Sequence, residues 1–227
     1  MHRILIWMAL AWAGAMDAGP QAPVAQESAV EPLDEPVIEP ELAPLVGLHQ
    51  VFADPLDYLG QRVRVVFQVH SHPAQWNPYL TRFGTADWTA VKVWAEHQFL
   101  WDVREYEHPL GLIFAPRGSA AHTALKPAGE FSRFEATIRV EQVFLGRPWV
   151  SILDLQPLRA ETGRGSILHA SRALNLMASG EWRLAMDDLS RAGVPGLPET
   201  AQAELDRLAA FCEERLVEIR ARNKSKR

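Results

Sequence analysis

The residues of this chain whose spacing most directly suggests a chemical role are two histidines. His70 and His72 are separated by one residue, and side chains along a strand alternate, so both would point to the same side. Such a pair can bind zinc, with His97 or Asp87 completing the ligand set. No third ligand follows at a spacing typical of a zinc site. We therefore interpret the pair as exposed histidines entering a loop, and we expect no metal and no other cofactor.

A second group of ionisable side chains combines Asp102, Glu105 and Glu107 with the aromatic residues Trp101 and Tyr106. Paired carboxylates can serve acid–base catalysis. No partner nucleophile accompanies them, so we interpret the stretch as a solvated loop. We accordingly predict no catalytic residues.

The segment from 45 to 158 has the apolar pattern of a small β-structure. In 62–71, Val63, Val65, Phe67 and Val69 alternate with polar residues, which is typical of a half-buried strand. The same alternation recurs in 133–144. We predict four further elements: a strand within 80–95, a strand at 110–115, a short helix at 119–125 and a strand at 149–155.

The order strand, strand, strand, helix, strand, strand resembles the OB-fold, a small five-stranded barrel. Asp54-Pro55 and Tyr58-Leu59-Gly60, just before the first strand, look like the lead-in of exported bacterial OB-type domains. An SH3-like or other small barrel is the alternative. The resemblance implies a ligand surface on the face of strands two and three, rimmed by the first and last hairpin loops.

That implied surface contains aromatic residues beside cations, a combination that can stack flat ligands and hold anions. The alternative is that the tryptophans pack beneath the chain's own helices, since large aromatics are usually core residues. The candidate ligand-binding residues are Trp76, Tyr79, Arg82, Trp88, Lys92, Trp94 and Arg147.

Charge argues against nucleic acid as the partner. The whole chain has a net charge of −5, and 45–158 holds ten Lys and Arg against eleven Asp and Glu. Binding to phosphates requires a marked basic excess. We therefore expect a protein partner or a small ligand, and no nucleic acid.

The N-terminal segment 1–15 has the pattern of a secretory signal. His2 and Arg3 precede an apolar run, and Ala13-Gly14-Ala15 offers a small-x-small cleavage site. An uncleaved anchor is the alternative; otherwise no membrane span is expected in the mature chain. The acidic, proline-rich stretch 16–44 is predicted to be a disordered linker. We expect an exported protein of the periplasm or cell envelope.

Three helices are predicted after the barrel, at 166–178, 181–192 and 199–220, followed by a basic tail at 221–227. Ser166 is the predicted cap of the first helix, and Cys212 is expected on the buried face of the third. The first two helices closely resemble one tetratricopeptide repeat, and the third would be a capping helix. The residues that carry this resemblance are Ala173, Leu176, Gly180, Trp182, Ala185, Leu189 and Ala192.

The sequence thus predicts an α+β protein: a small five-stranded OB-like β-barrel followed by a three-helix unit similar to a tetratricopeptide hairpin. The function expected from it is a non-enzymatic, exported binding or scaffold protein of the cell envelope. A small envelope enzyme with a metal-assisted site on the barrel is the alternative from a different class.

Overall fold

The structure is a computed structural model that describes residues 43–77 and 79–225. The predicted signal segment, nearly all of the predicted linker and the last two residues lie outside this range. The elements in chain order are α1 (Leu48–Ala53), β1 (Arg62–Ser71), β2 (Trp88–Ala95), α2 (Val103–Glu107), β3 (Gly111–Pro116), α3 (Ala120–Leu125), β4 (Arg133–Phe144), β5 (Arg147–Leu158), α4 (Arg164–Ala178), α5 (Trp182–Ala192) and α6 (Glu199–Ser225).

The five strands form a closed barrel in the order β1-β2-β3-β5-β4, and β4 returns to β1. All neighbouring strands are antiparallel except β3 and β5, which pair in parallel at Phe114 and Ser151. The predicted fold class, an α+β chain with a small five-stranded barrel followed by helices, is confirmed.

The barrel interior is built by the predicted alternation. Val63, Val65, Phe67 and Val69 of β1 are all buried in one apolar cluster. The inward residues of the other strands join that cluster, together with Leu125 of α3. Alternation places every second side chain inside, so the opposite face of each strand is left for other contacts.

Several element bounds differ from the prediction. β2 begins at Trp88, so the connection between β1 and β2 is long, and we refer to its described residues, 72–77 and 79–87, as the 72–87 loop. β5 runs over Arg147–Leu158, longer than predicted, because it pairs with β4 along its whole length, from Phe144 opposite Arg147 to Arg133 opposite Leu158. Two short helices, α1 and α2, were not predicted. The solvated loop expected around Glu105 is instead the single turn of α2, capped by Asp102.

Five residues, 159–163, separate the last strand of the barrel from the helical unit. α4 begins at Arg164 with Gly163 at its N-cap, so the predicted cap by Ser166 is wrong, and Ser166 is buried inside the helix. α6 continues to Ser225, so the first residues of the predicted basic tail are helical. Over the described residues, no helix is both long enough and apolar enough to cross a membrane.

Small residues allow α4 and α5 to pack closely, as predicted. Ala173 and Ala185 are fully buried in a shared cluster with Cys212 of α6. Burial raises the pKa of the Cys212 thiol, which is unfavourable for thiolate chemistry. Trp182 is only half-buried, and its ring meets Phe211 edge-on at 5.8 Å.

Side chains of the barrel and of the helices contact one another directly. Arg133 of β4 binds Glu96 through two hydrogen bonds of 3.0 and 2.7 Å, and Thr200 of α6 donates to the same carboxylate. Trp101, in the loop after β2, is buried in the helical cluster. The barrel and the helices therefore share packing and hydrogen bonds.

Candidate ligand-binding cleft

A cleft of about 610 Å³ lies on the outer surface of the barrel, against β2 and β3. Its floor contains Lys92 of β2 with Leu112 and Phe114 of β3. These side chains point outward because their neighbours Val91, Val93 and Ile113 fill the barrel interior. We refer to this space as the barrel cleft.

Three segments, together with residues 109–111 before and at the start of β3, form the described walls of the barrel cleft. The 72–87 loop contributes Trp76, Asn77, Leu80 and Thr81, and the start of β5 contributes Arg147, Pro148 and Trp149. α1 contributes His49, Phe52 and Ala53. The wall at Phe52 is tight, because a Cβ added at Gly111 would collide with the Phe52 ring.

Two indole hydrogen bonds hold the 72–87 loop in place. Trp76 Nε1 donates to the carbonyl oxygen of Phe83 at 2.6 Å, within the loop. Trp149 Nε1 donates from β5 to the carbonyl oxygen of Leu80 at 2.8 Å. The buried Phe83 ring packs against neighbouring aromatics. The loop wall is thus fixed by bonds and packing that need no ligand.

Three of the seven sequence-predicted residues line the barrel cleft: Trp76, Lys92 and Arg147. They lie on the loop, on β2 and at the start of β5, so residues distant in sequence meet at one site. Tyr79 lies on the same loop but is 86 % exposed and is not part of the lining.

Arg82 and Trp88 are near the barrel cleft but have other partners. Arg82 pairs with Glu141 at 3.3 Å. Burial would raise the pKa of Glu141, but hydrogen bonds from Ser151 and Arg139 outweigh it and the net shift is downward. Trp88 packs on Phe83, with ring centroids 4.3 Å apart.

Trp94 is fully buried beneath other parts of the chain. Its ring stacks on Phe131 at 5.6 Å, and Ile167 of α4 packs on the same cluster. Its Nε1 donates to the carbonyl oxygen of Tyr106 at 3.1 Å. The predicted surface is therefore divided: the Trp94 end is covered by the chain itself, and the Lys92 end opens into the barrel cleft.

Sequence reasoning missed several lining residues, most clearly Leu112, Phe114 and Trp149. The apolar residues of 110–115 predict a strand but do not by themselves assign its two faces. Strict alternation would have assigned Leu112 and Phe114 to the outer face, opposite Ile113. Two large apolar residues on the outside of a small barrel indicate a covered or binding surface.

The charged side chains in the described lining of the barrel cleft are all positive. Among the residues that the structure describes, its lining contains Lys92 and Arg147 but no Asp or Glu. Over the described part of the chain, neither of these cations forms an ion pair. Arg64, Arg133 and Arg139 elsewhere on the barrel each pair with a glutamate. The barrel cleft therefore combines apolar walls with uncompensated positive charge.

The histidines considered for metal binding have other partners. His70 packs edge-on against Trp94, and His72 Nε2 hydrogen-bonds to the carbonyl oxygen of Ala128 at 2.9 Å. The His97 ring lies 4.2 Å from that of His49, and burial, with a smaller effect of His49, lowers the pKa of His97. Among residues 43–77 and 79–225, no three His, Cys, Asp or Glu side chains form a group that could hold a metal ion.

No protein-family model, curated protein or solved structure matches this chain. The chemistry of the barrel cleft therefore has to be inferred from its own residues.

Proposed function

We propose that this chain is a non-enzymatic binding protein whose ligand occupies the barrel cleft. The observation that carries this proposal is the cleft itself: a pre-formed space of about 610 Å³ with an apolar floor and a few convergent polar groups. Small-molecule sites in proteins are concave, largely apolar and pre-formed in this way.

The position of the barrel cleft supports an OB-type identity for the barrel. Along the chain, three strands, the helix α3 and two further strands follow in the order that suggested the OB-fold from sequence, and the five strands close into a barrel. Ligands of that fold bind on the face of strands two and three, between the first and last hairpin loops. The barrel cleft has the same floor, and its walls include the loop after β1 and the residues directly after the β4–β5 turn.

The helical unit would then act as a support for the barrel and, as a tetratricopeptide-like hairpin, as a second contact surface. Its contribution to the barrel is the covering of Trp94 by Ile167 and the contact of Thr200 with Glu96.

We further propose that the protein is exported to the cell envelope, because its N-terminal sequence has the pattern of a secretory signal. Cell fractionation, with mass spectrometry of the N-terminus, tests the export: cleavage near Ala15 is expected, and an intact Met1 in the cytoplasm would contradict it.

Binding in the barrel cleft is tested with the neutral, polarity-sensitive dye Nile red. We expect saturable fluorescence enhancement with the wild-type protein. Leu112→Glu should abolish it, because a carboxylate then replaces part of the apolar floor next to Lys92. Leu168→Glu is the matched control, since Leu168 is 67 % exposed on α4.

Equal dye binding by all three proteins, or no binding by the wild type, would overturn the proposed site. Recovery of a bound ligand in chemically altered form would contradict the non-enzymatic role and favour the enzyme alternative.

A further inference from the structure

The walls of the barrel cleft are suited to a flat, apolar molecule. The Trp76 ring meets Phe114 at a centroid distance of 5.5 Å, and Phe52 and Trp149 contribute further aromatic surface. Aromatic faces bind flat rings through offset or edge-on contacts. The lining is thus predominantly aromatic and aliphatic, with few polar side chains.

The indole N–H groups of the two tryptophans in this lining are not available as hydrogen-bond donors to a ligand. Trp76 Nε1 and Trp149 Nε1 both donate to carbonyl oxygens of the 72–87 loop. The side-chain oxygens of Asn77 and Thr81, also in the lining, already accept hydrogen bonds from loop backbone amides. A ring with several polar edges, such as a nucleobase, therefore finds few free partners here, which is unfavourable. An apolar ring system loses nothing in the same position.

Charge determines the rest of the ligand. Lys92 extends from the floor and Arg147 from the start of β5, and the lining holds no carboxylate from residues 43–77 or 79–225. A cation beside apolar walls attracts an anion more strongly than a fully hydrated one does. Arginine and lysine together provide several donors suited to a carboxylate or sulfonate.

We propose that the barrel cleft binds small amphipathic anions, each a flat apolar ring system that carries one carboxylate or sulfonate group. Trp76, Phe114 and Trp149 contact the rings, and Lys92 and Arg147 bind the anionic group. This proposal rests on the proposed function, since it assigns a ligand class to the same site.

The test compares ligands of one shape and different charge by isothermal titration calorimetry. 2-Naphthoate is the anion, 2-naphthylmethanol is its neutral counterpart, hexanoate is an anion without rings, and AMP is a flat but polar anion. We expect 2-naphthoate to bind about tenfold or more tightly than the alcohol, because one charge-assisted interaction provides about that factor. It should also bind more tightly than hexanoate, which has no rings to contact the aromatic walls, and than AMP, whose polar base is costly to bury.

Variants assign the charge effect to the two cations. Lys92→Met combined with Arg147→Met should weaken 2-naphthoate binding about tenfold or more and leave 2-naphthylmethanol binding unchanged. Binding of the neutral alcohol also reports that the variant is folded. Lys126→Met removes an exposed cation at the end of α3 and should change neither affinity.

Each alternative outcome overturns a stated part of the proposal. Equal affinity for the naphthoate and the alcohol would refute the preference for an anionic group. Tighter binding of AMP than of 2-naphthoate would refute the preference for an apolar ring system. Nile red binding without any naphthoate binding would refute the ligand class but leave the proposed function intact. Absence of binding by every probe, Nile red included, would refute both.

Discussion

The indole nitrogen of Trp149, at the start of β5, donates a hydrogen bond of 2.8 Å to the carbonyl oxygen of Leu80 in the 72–87 loop. This bond joins two of the segments that line the barrel cleft. The loop is long and lies outside the barrel ladder, so such side-chain bonds determine its position.

Trp149→Phe tests the importance of that bond. An aromatic ring remains but the indole N–H donor is lost, so we expect the free energy of unfolding to fall by about 1 kcal/mol. Amide hydrogen exchange in the 76–83 stretch should accelerate, and hydrogen-exchange mass spectrometry measures it. Trp182→Phe, on α5, is the control and should leave exchange in this stretch unchanged. Identical exchange in both variants would show that the bond does not hold the loop.

Two glycines should respond to alanine with opposite signs. Gly180, in the turn after α4, has a φ of 79°, a left-handed conformation that alanine adopts at a cost of about 1 kcal/mol. Gly165 lies in the first turn of α4, and beyond its chain neighbours and its own helix backbone no described atom lies within 4 Å of an added Cβ. Gly165→Ala should therefore stabilise the protein by about 0.5–1 kcal/mol. Urea denaturation measures both, and the same sign for both would contradict these conformations.

Asp188 is a buried carboxylate that links α5 to α4. Its oxygens lie 3.1 Å from His169 Nδ1 and 3.1 Å from Arg172 Nε. Asp188→Asn removes the charge inside this cluster, and we expect a loss of about 1–3 kcal/mol in the free energy of unfolding. Asp187→Asn changes the exposed neighbour and should stay within about 0.5 kcal/mol of wild type. Equal thermal melting of the two variants would show that the buried contacts add no stability.

Stability should fall as the pH drops below about 6.5. Burial lowers the pKa of His97 and of His70 in the folded protein, with smaller lowering contributions from His49 and Lys92 respectively. Glu105 faces His97 and Glu130 faces His70, and each opposes the shift in part. The unfolded chain therefore binds more protons, and stability is fully present above pH 6.5 and is lost as pH falls through the folded pKa values.

Urea denaturation between pH 7 and pH 5 measures this dependence. His97→Gln and His70→Gln should each flatten it, whereas the same substitution at the exposed His108 serves as the control. The pKa values of Glu130 and Glu141 are lowered from 4.5 in the folded protein. The protein therefore loses the stability that these two carboxylates contribute only below about pH 4.5, outside the range of this experiment. A slope that both histidine variants leave unchanged would contradict the assignment.

Local pattern was sufficient for much of the fold. Alternation in 62–71 and 133–144 predicted β1 and β4 to the residue, because their inner faces fill the barrel core. The small residues of α4 and α5, such as Ala173 and Ala185, likewise predicted their close packing. Short elements such as α1 and α2 lack the length for a periodic pattern, and only contacts made in the folded chain reveal them.

Sequence parity by itself assigned Trp88, Lys92 and Trp94 to one outer face of β2, since alternate side chains of a strand share a side. Only the tertiary structure decided what became of that face. Phe131 and Ile167 cover Trp94, whereas the 72–87 loop leaves Lys92 in an open cleft. The physical reason is that parity is a local property, and the segments that cover or expose a strand face are brought there by contacts distant in sequence.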